Sequence, residues 1–167
     1  MVRLGKSYRM NKLLILDKDP RIITFLRKLC KVYSLDYYPR TAEEEKLLHY
    51  TLDNYRNKRR SPAQRERSRD CIKYLLKDFF GSGKSKKFCF CHCSTEFDSK
   101  DIFGITVCEE FLGDDIIVLF TARNADAHLI RRINSYGNNI RKGSFIDKIN
   151  SLYKREVAEV FKTFLEA

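Results

Sequence analysis

The chain has no tryptophan, two methionines, three prolines and seven glycines in 167 residues. None of its apolar runs approaches the roughly eighteen residues of a membrane-spanning helix, so membrane insertion is excluded at this level and a soluble chain is expected. Internal repeats and low-complexity tracts are also missing, which excludes a solenoid or a linker array. The start, Met1-Val2-Arg3-Leu4-Gly5-Lys6, lacks a signal-peptide pattern. The six cysteines, Cys30, Cys71, Cys89, Cys91, Cys93 and Cys108, are therefore read as free thiols of a reducing compartment rather than a secreted disulfide scaffold. That places the chain in the nucleus or cytoplasm. Catalytic and cofactor motifs are lacking too. Gly81-Ser82-Gly83-Lys84-Ser85 ends like a phosphate-binding loop, but the first glycine of that motif falls at Asp78 and the segment follows a helix instead of a strand. No cofactor is expected, and a non-catalytic role is favoured over an enzymatic one.

What the chain does have is positive charge. Its formal net charge is +11 and its isoelectric point is near 9.4, a balance that attracts polyanions. Residues 56–69 concentrate seven basic side chains (Arg56, Lys58, Arg59, Arg60, Arg65, Arg67, Arg69) against one acid, Glu66. Residues 94–122 hold seven acids against Lys100, a local net of −6 that leaves +17 for the remainder.

Hydrophobic spacing gives the organisation. Asp19-Pro20 pairs an N-cap with a first-turn proline, and Ile22, Phe25, Leu26, Leu29, Cys30 and Tyr33 then recur at helical spacing over about 20–34. Thr41-Ala42-Glu43-Glu44 reads as a capping box for a second helix with Leu47, Leu48, Leu52 and Tyr55 as its stripe. Ser61-Pro62 opens a third, which Gly81-Ser82-Gly83 ends. The period then shortens to two at 88–93, 102–108 and 116–120, predicting three strands, with Gly113-Asp114-Asp115 as the turn between the last pair. Two further helices are predicted, one to about Tyr136 and one capped by Ser144 with apolar positions from Phe145 to Phe164. The expected fold is α+β: three N-terminal helices, a small mainly antiparallel sheet over about 87–122, and two C-terminal helices. Residues 1–167 are expected to form a single domain, with a candidate hinge at 81–87.

Three clusters carry candidate chemistry. The arginine block, extended by Lys84, Lys86 and Lys87, suits phosphate because guanidinium groups fork bidentately; a merely solvated basic face is the alternative. Cys89, Cys91, His92 and Cys93 are zinc-ligand types, but thiols alternating along an extended strand stand about 6.6 Å apart, too far to share one tetrahedral ion. A row of buried thiols is the preferred reading. The acids Asp98, Asp101, Glu109, Glu110, Asp114 and Asp115, with His128 as a base, have the groups of a metal-dependent nuclease without its convergent spacing.

Leu13-Leu14-Ile15-Leu16-Asp17-Lys18-Asp19-Pro20-Arg21-Ile22, followed by Phe25-Leu26-Arg27-Lys28-Leu29, resembles the opening strand, acidic pair and first helix of response-regulator receiver domains. The resemblance implies a phosphoacceptor aspartate at the end of a third strand some forty residues on. Residues 52–60 there do not read as a strand, so the likeness is taken as convergence and leaves Leu13–Leu16 as a strand that adds to the sheet. The leading functional expectation is a small nucleic-acid-binding protein, for DNA or RNA. The alternative is an assembly protein that meets a copy of itself or another protein through complementary acidic and basic surfaces.

Overall fold

A computed structural model describes residues 10–81, 83–93, 103–122, 127–135, 146–147 and 153–166. Eleven elements follow one another: β1 (Lys12–Leu16), α1 (Pro20–Val32), β2 (Asp36–Tyr38), α2 (Ala42–Arg56), α3 (Pro62–Phe80), β3 (Lys87–His92), α4 (Phe103–Phe111), β4 (Ile116–Ala122), α5 (Ala127–Ser135), β5 (Ile146–Asp147) and α6 (Tyr153–Glu166). The five strands form one sheet in the order β2-β1-β3-β4-β5, and every pairing is parallel.

This corrects the expected α+β fold with a mainly antiparallel sheet at 87–122. Strands and helices interleave, so the sheet takes β1 and β2 from before residues 81–87 and β3 to β5 from after them. The apolar runs at 13–16, 88–93 and 116–120 are near-continuous because a parallel sheet is covered on both faces. Leu14, Cys89, Cys91, Val118 and Phe120 pack with residues of α2, α3, α4 and α5. Leu13, Ile15, Phe88, Phe90 and Leu119 pack on the other face with α1 and with Val157 and Phe161 of α6. The result is a doubly wound α/β fold with the flavodoxin-like strand order, whose topological switch lies between β1 and β3.

Two elements changed type. Residues 103–111, expected in a strand, form α4: Gly104, Ile105, Val107 and Cys108 are buried while Thr106, Glu109 and Glu110 are exposed, a helical rhythm inside β-branched composition. Gly113 to Asp115 consequently joins a helix to a strand, with Ile116 N donating to Gly113 O at 3.2 Å. The last helix begins at Tyr153 rather than near Ser144, and Ile146–Asp147 is instead an edge strand paired with Thr121 and Ala122. Ser144 and Phe145 lie outside the described residues.

The approach of α4 to β3 depends on one glycine. A Cβ on Gly104 would stand 2.2 Å from the His92 carbonyl oxygen and 2.9 Å from Cys91 Sγ, and Gly104 N donates to Cys93 O at 3.0 Å. Backbone on both sides leaves little room to yield. Gly104→Ala is expected to destabilise the fold by about 3 kcal/mol or more, read as a lowered urea midpoint; an unchanged midpoint would mean that α4 is not held this close.

Candidate nucleic-acid interface

The two long helices α2 and α3 form an antiparallel hairpin joined by residues 57–61. Local chemistry fixes that turn. The Asn57 side chain accepts from Arg59 N at 2.9 Å, Ser61 and Gln64 close a reciprocal capping box, and Pro62 occupies the first helical turn. Lys18, just beyond the carboxyl end of β1, donates to Asp53 at 3.1 Å, and the Arg56 guanidinium lies 5.2 Å from the Phe103 ring centroid. At the other end of the hairpin Lys12, which opens β1, donates to Phe79 O at 2.7 Å. The turn therefore rises at the carboxyl edge of the sheet, the edge where open α/β sheets bind ligands.

The seven cations of the block divide by role. Arg65 Nε donates to Tyr55 O at 3.2 Å, Arg69 Nε lies 2.9 Å from Glu110 Oε1, and Arg56 covers Phe103. Those three are half-buried and tie the hairpin to itself and to α4. Tyr55 joins the same knot by donating to Glu110, and burial, reinforced by that bond, pushes its phenol up to about 12. Lys58, Arg59, Arg60 and Arg67 are exposed. The lysines expected to extend the charge sit elsewhere: Lys84, Lys86 and Lys87 lie before and at the start of β3, roughly 28 Å away along α3. Lys86 donates to Leu165 O at 3.2 Å, and Lys87 pairs with Asp115 at 2.9 Å, holding that carboxyl below its ordinary range.

The acidic set does not converge. Glu109 pairs with Arg132 at 2.6 Å, Glu110 with Arg69 and Tyr55, and Asp115 with Lys87. His128 is exposed on α5, and Asp98 and Asp101 lie outside the described residues. Among the described residues no three His, Cys, Asp or Glu side chains are grouped to hold a metal ion. Cys89, Cys91 and Cys93 face the α2–α5 layer beside Cys108. Burial raises the Cys89 and Cys108 thiols and pushes Cys30 up to about 12. Of the six free cysteines, Cys71 alone is not buried. A thiol reagent at pH 8 is thus expected to modify about one cysteine quickly in the native protein and six after denaturation; six fast thiols in the native protein would contradict the buried row.

A second group lies at the switch point and escaped the sequence reading. Leu16 pairs with Cys91 and His92 with Thr121, so Asp17, His92 and Thr121 fall next to one another across three strands. Asp17 is buried and accepts from Asp19 N at 2.8 Å. His92 Nδ1 stands 3.1 Å from the Thr121 carbonyl, which can only accept, so that nitrogen carries the proton. Thr121 Oγ1 is buried without a hydrogen-bond partner among the described residues. The signal in the sequence was the acidic pair of Asp17 and Asp19 after an apolar run. Where the receiver resemblance implies an aspartate, the end of β3 carries His92 and Cys93.

Among the described residues, no helix is long and apolar enough to cross a membrane. No protein-family model matches the chain, and no curated protein does. A solved structure described as a yeast Spc42 trimeric coiled coil, amino acids 181–211, fused to another structure is similar at 9% identity, over 95% of this chain and 84% of that one. Its TM-score of 0.46 is too low for the likeness to carry an argument.

Proposed function

We propose that the chain binds nucleic acid through the exposed cations of the α2–α3 hairpin, without base-specific readout, in the nucleus or cytoplasm. The observation that carries this reading is the division of the block: Arg56, Arg65 and Arg69 brace the turn, while Lys58, Arg59, Arg60 and Arg67 stand exposed on it. A braced turn presents phosphate ligands at low conformational cost, and each neutralised phosphate releases counterions. The alternative of self-assembly through acidic and basic surfaces loses support, because Glu109, Glu110 and Asp115 are paired within their own chain.

The test is the salt dependence of binding to a short oligonucleotide. Four phosphate contacts give a slope of about −3.6 for log affinity against log salt on duplex, and about −2.8 on a single strand. Absence of binding at low salt, or a slope near zero, would remove the reading.

A further inference from the structure

We infer that the outer face of the α2–α3 hairpin is a stacking platform for single-stranded nucleic acid, with Tyr50 and Tyr74 as the stacking side chains. The inference rests on the phosphate-binding reading of the hairpin and adds the class of nucleic acid.

Tyr50 is 63% exposed and Tyr74 68%, with Leu47 between the helices at 45%. Helical phase explains the placement. Leu48 and Leu52 of α2, and Ile72 and Leu76 of α3, face the sheet, and a residue two positions on lies about 200° round the helix. Tyr50 follows Leu48 and Tyr74 follows Ile72 by two positions, so both phenols point away from the core on the same side of the hairpin. Thr51 Oγ1 lies 3.9 Å from Cys71 Sγ where the helices cross-contact, which sets Tyr50 and Tyr74 at nearby levels. Folding gains little from leaving two large rings in water.

The surroundings choose the occupant. Lys46, Arg67, Lys73 and Lys77 are exposed on the same two helices, and Lys58, Arg59 and Arg60 continue the charge at the turn. The centre of a protein interface is depleted of charge, whereas this face interleaves charge with rings. Cations that track a backbone beside aromatic rings that take bases are the parts of a single-strand site. A duplex keeps its base faces stacked internally and offers nothing to the tyrosines, which confines stacking to unpaired nucleotides.

The test compares the parent chain with Y50A/Y74A and Y50F/Y74F on a 20-nucleotide single strand and on the same sequence as a duplex. Both side chains are exposed, so melting temperatures should match the parent. Loss of two stacked bases should weaken single-strand binding by Y50A/Y74A about a hundred-fold, with the salt slope and the duplex affinity unchanged and the phenylalanine variant within about twofold of the parent. Undiminished single-strand binding by Y50A/Y74A would overturn the inference and leave the phosphate reading intact, as would an equal loss on duplex. A parent dimer that the alanine pair converts to monomer would overturn it in favour of a protein partner. Absence of salt-dependent binding by the parent would overturn both readings.

Discussion

Truncation after Gly143 should leave a chain that is insoluble, or compact without fixed tertiary packing, because it removes β5 and α6 together. Helix α6 inserts Val157, fully buried, and Phe161, 4% exposed, against the sheet face formed by Leu13, Ile15, Phe88, Phe90 and Leu119. Uncovering that face returns several large side chains to water at roughly 1.5–3 kcal/mol each when fully exposed. Net stability of a domain is only about 5–15 kcal/mol. Losing the near-ultraviolet circular dichroism signal while keeping far-ultraviolet signal would match the expectation. A soluble, cooperatively unfolding, monomeric 1–143 fragment would instead show that the α6 stripe serves a partner and not the core.

The second large effect concerns binding. Replacing Lys58, Arg59, Arg60 and Arg67 together with glutamine should flatten the salt dependence by about 0.9 per lost duplex phosphate contact, or about 3.6 in all, while the urea midpoint stays near that of the parent. Arg69→Gln should do the reverse. Its ion pair with Glu110 is partly sheltered, so unfolding becomes easier while the slope is retained. Both variants lower the net charge, but only one group faces the ligand, so a general loss of charge cannot produce the two patterns. An unchanged slope in the quadruple variant would move the binding surface off the hairpin.

How much of this could be read in the sequence follows from the range of the interactions involved. Helix starts are local. Asp19 accepts from Arg21 N at 2.9 Å ahead of Pro20, and Ser61 and Gln64 form their box ahead of α3. Even Thr41 accepts from Glu44 N, although Glu44 reaches back to Arg40 N instead of to the cap residue. Strand direction is not local. Nothing in Phe88-Cys89-Phe90-Cys91 specifies that both faces will be covered, and reading its alternation as one buried face made an antiparallel sheet the simple choice. Residues 103–108 carry strand composition, and only packing of Ile105 and Cys108 against β3 and β4 makes them helical.

The candidate site divides along the same line. The arginine block was visible as composition, yet which of its members are braced depends on Tyr55, Phe103 and Glu110, from 1 to 54 residues away along the chain from the cations they hold. Lys84, Lys86 and Lys87 looked continuous with the block because sequence order hides the length of α3. Asp17, His92 and Thr121 come from three separate stretches and meet only through parallel register.

The central claim is that nucleic acid lies on the α2–α3 hairpin, and ultraviolet cross-linking of the full chain to a single-stranded oligonucleotide, with mapping of the modified peptides, tests it most directly. The account predicts adducts within residues 46–77, on peptides containing Tyr50 or Tyr74. Adducts confined to α5, α6 or the Lys84–Lys87 segment would contradict it.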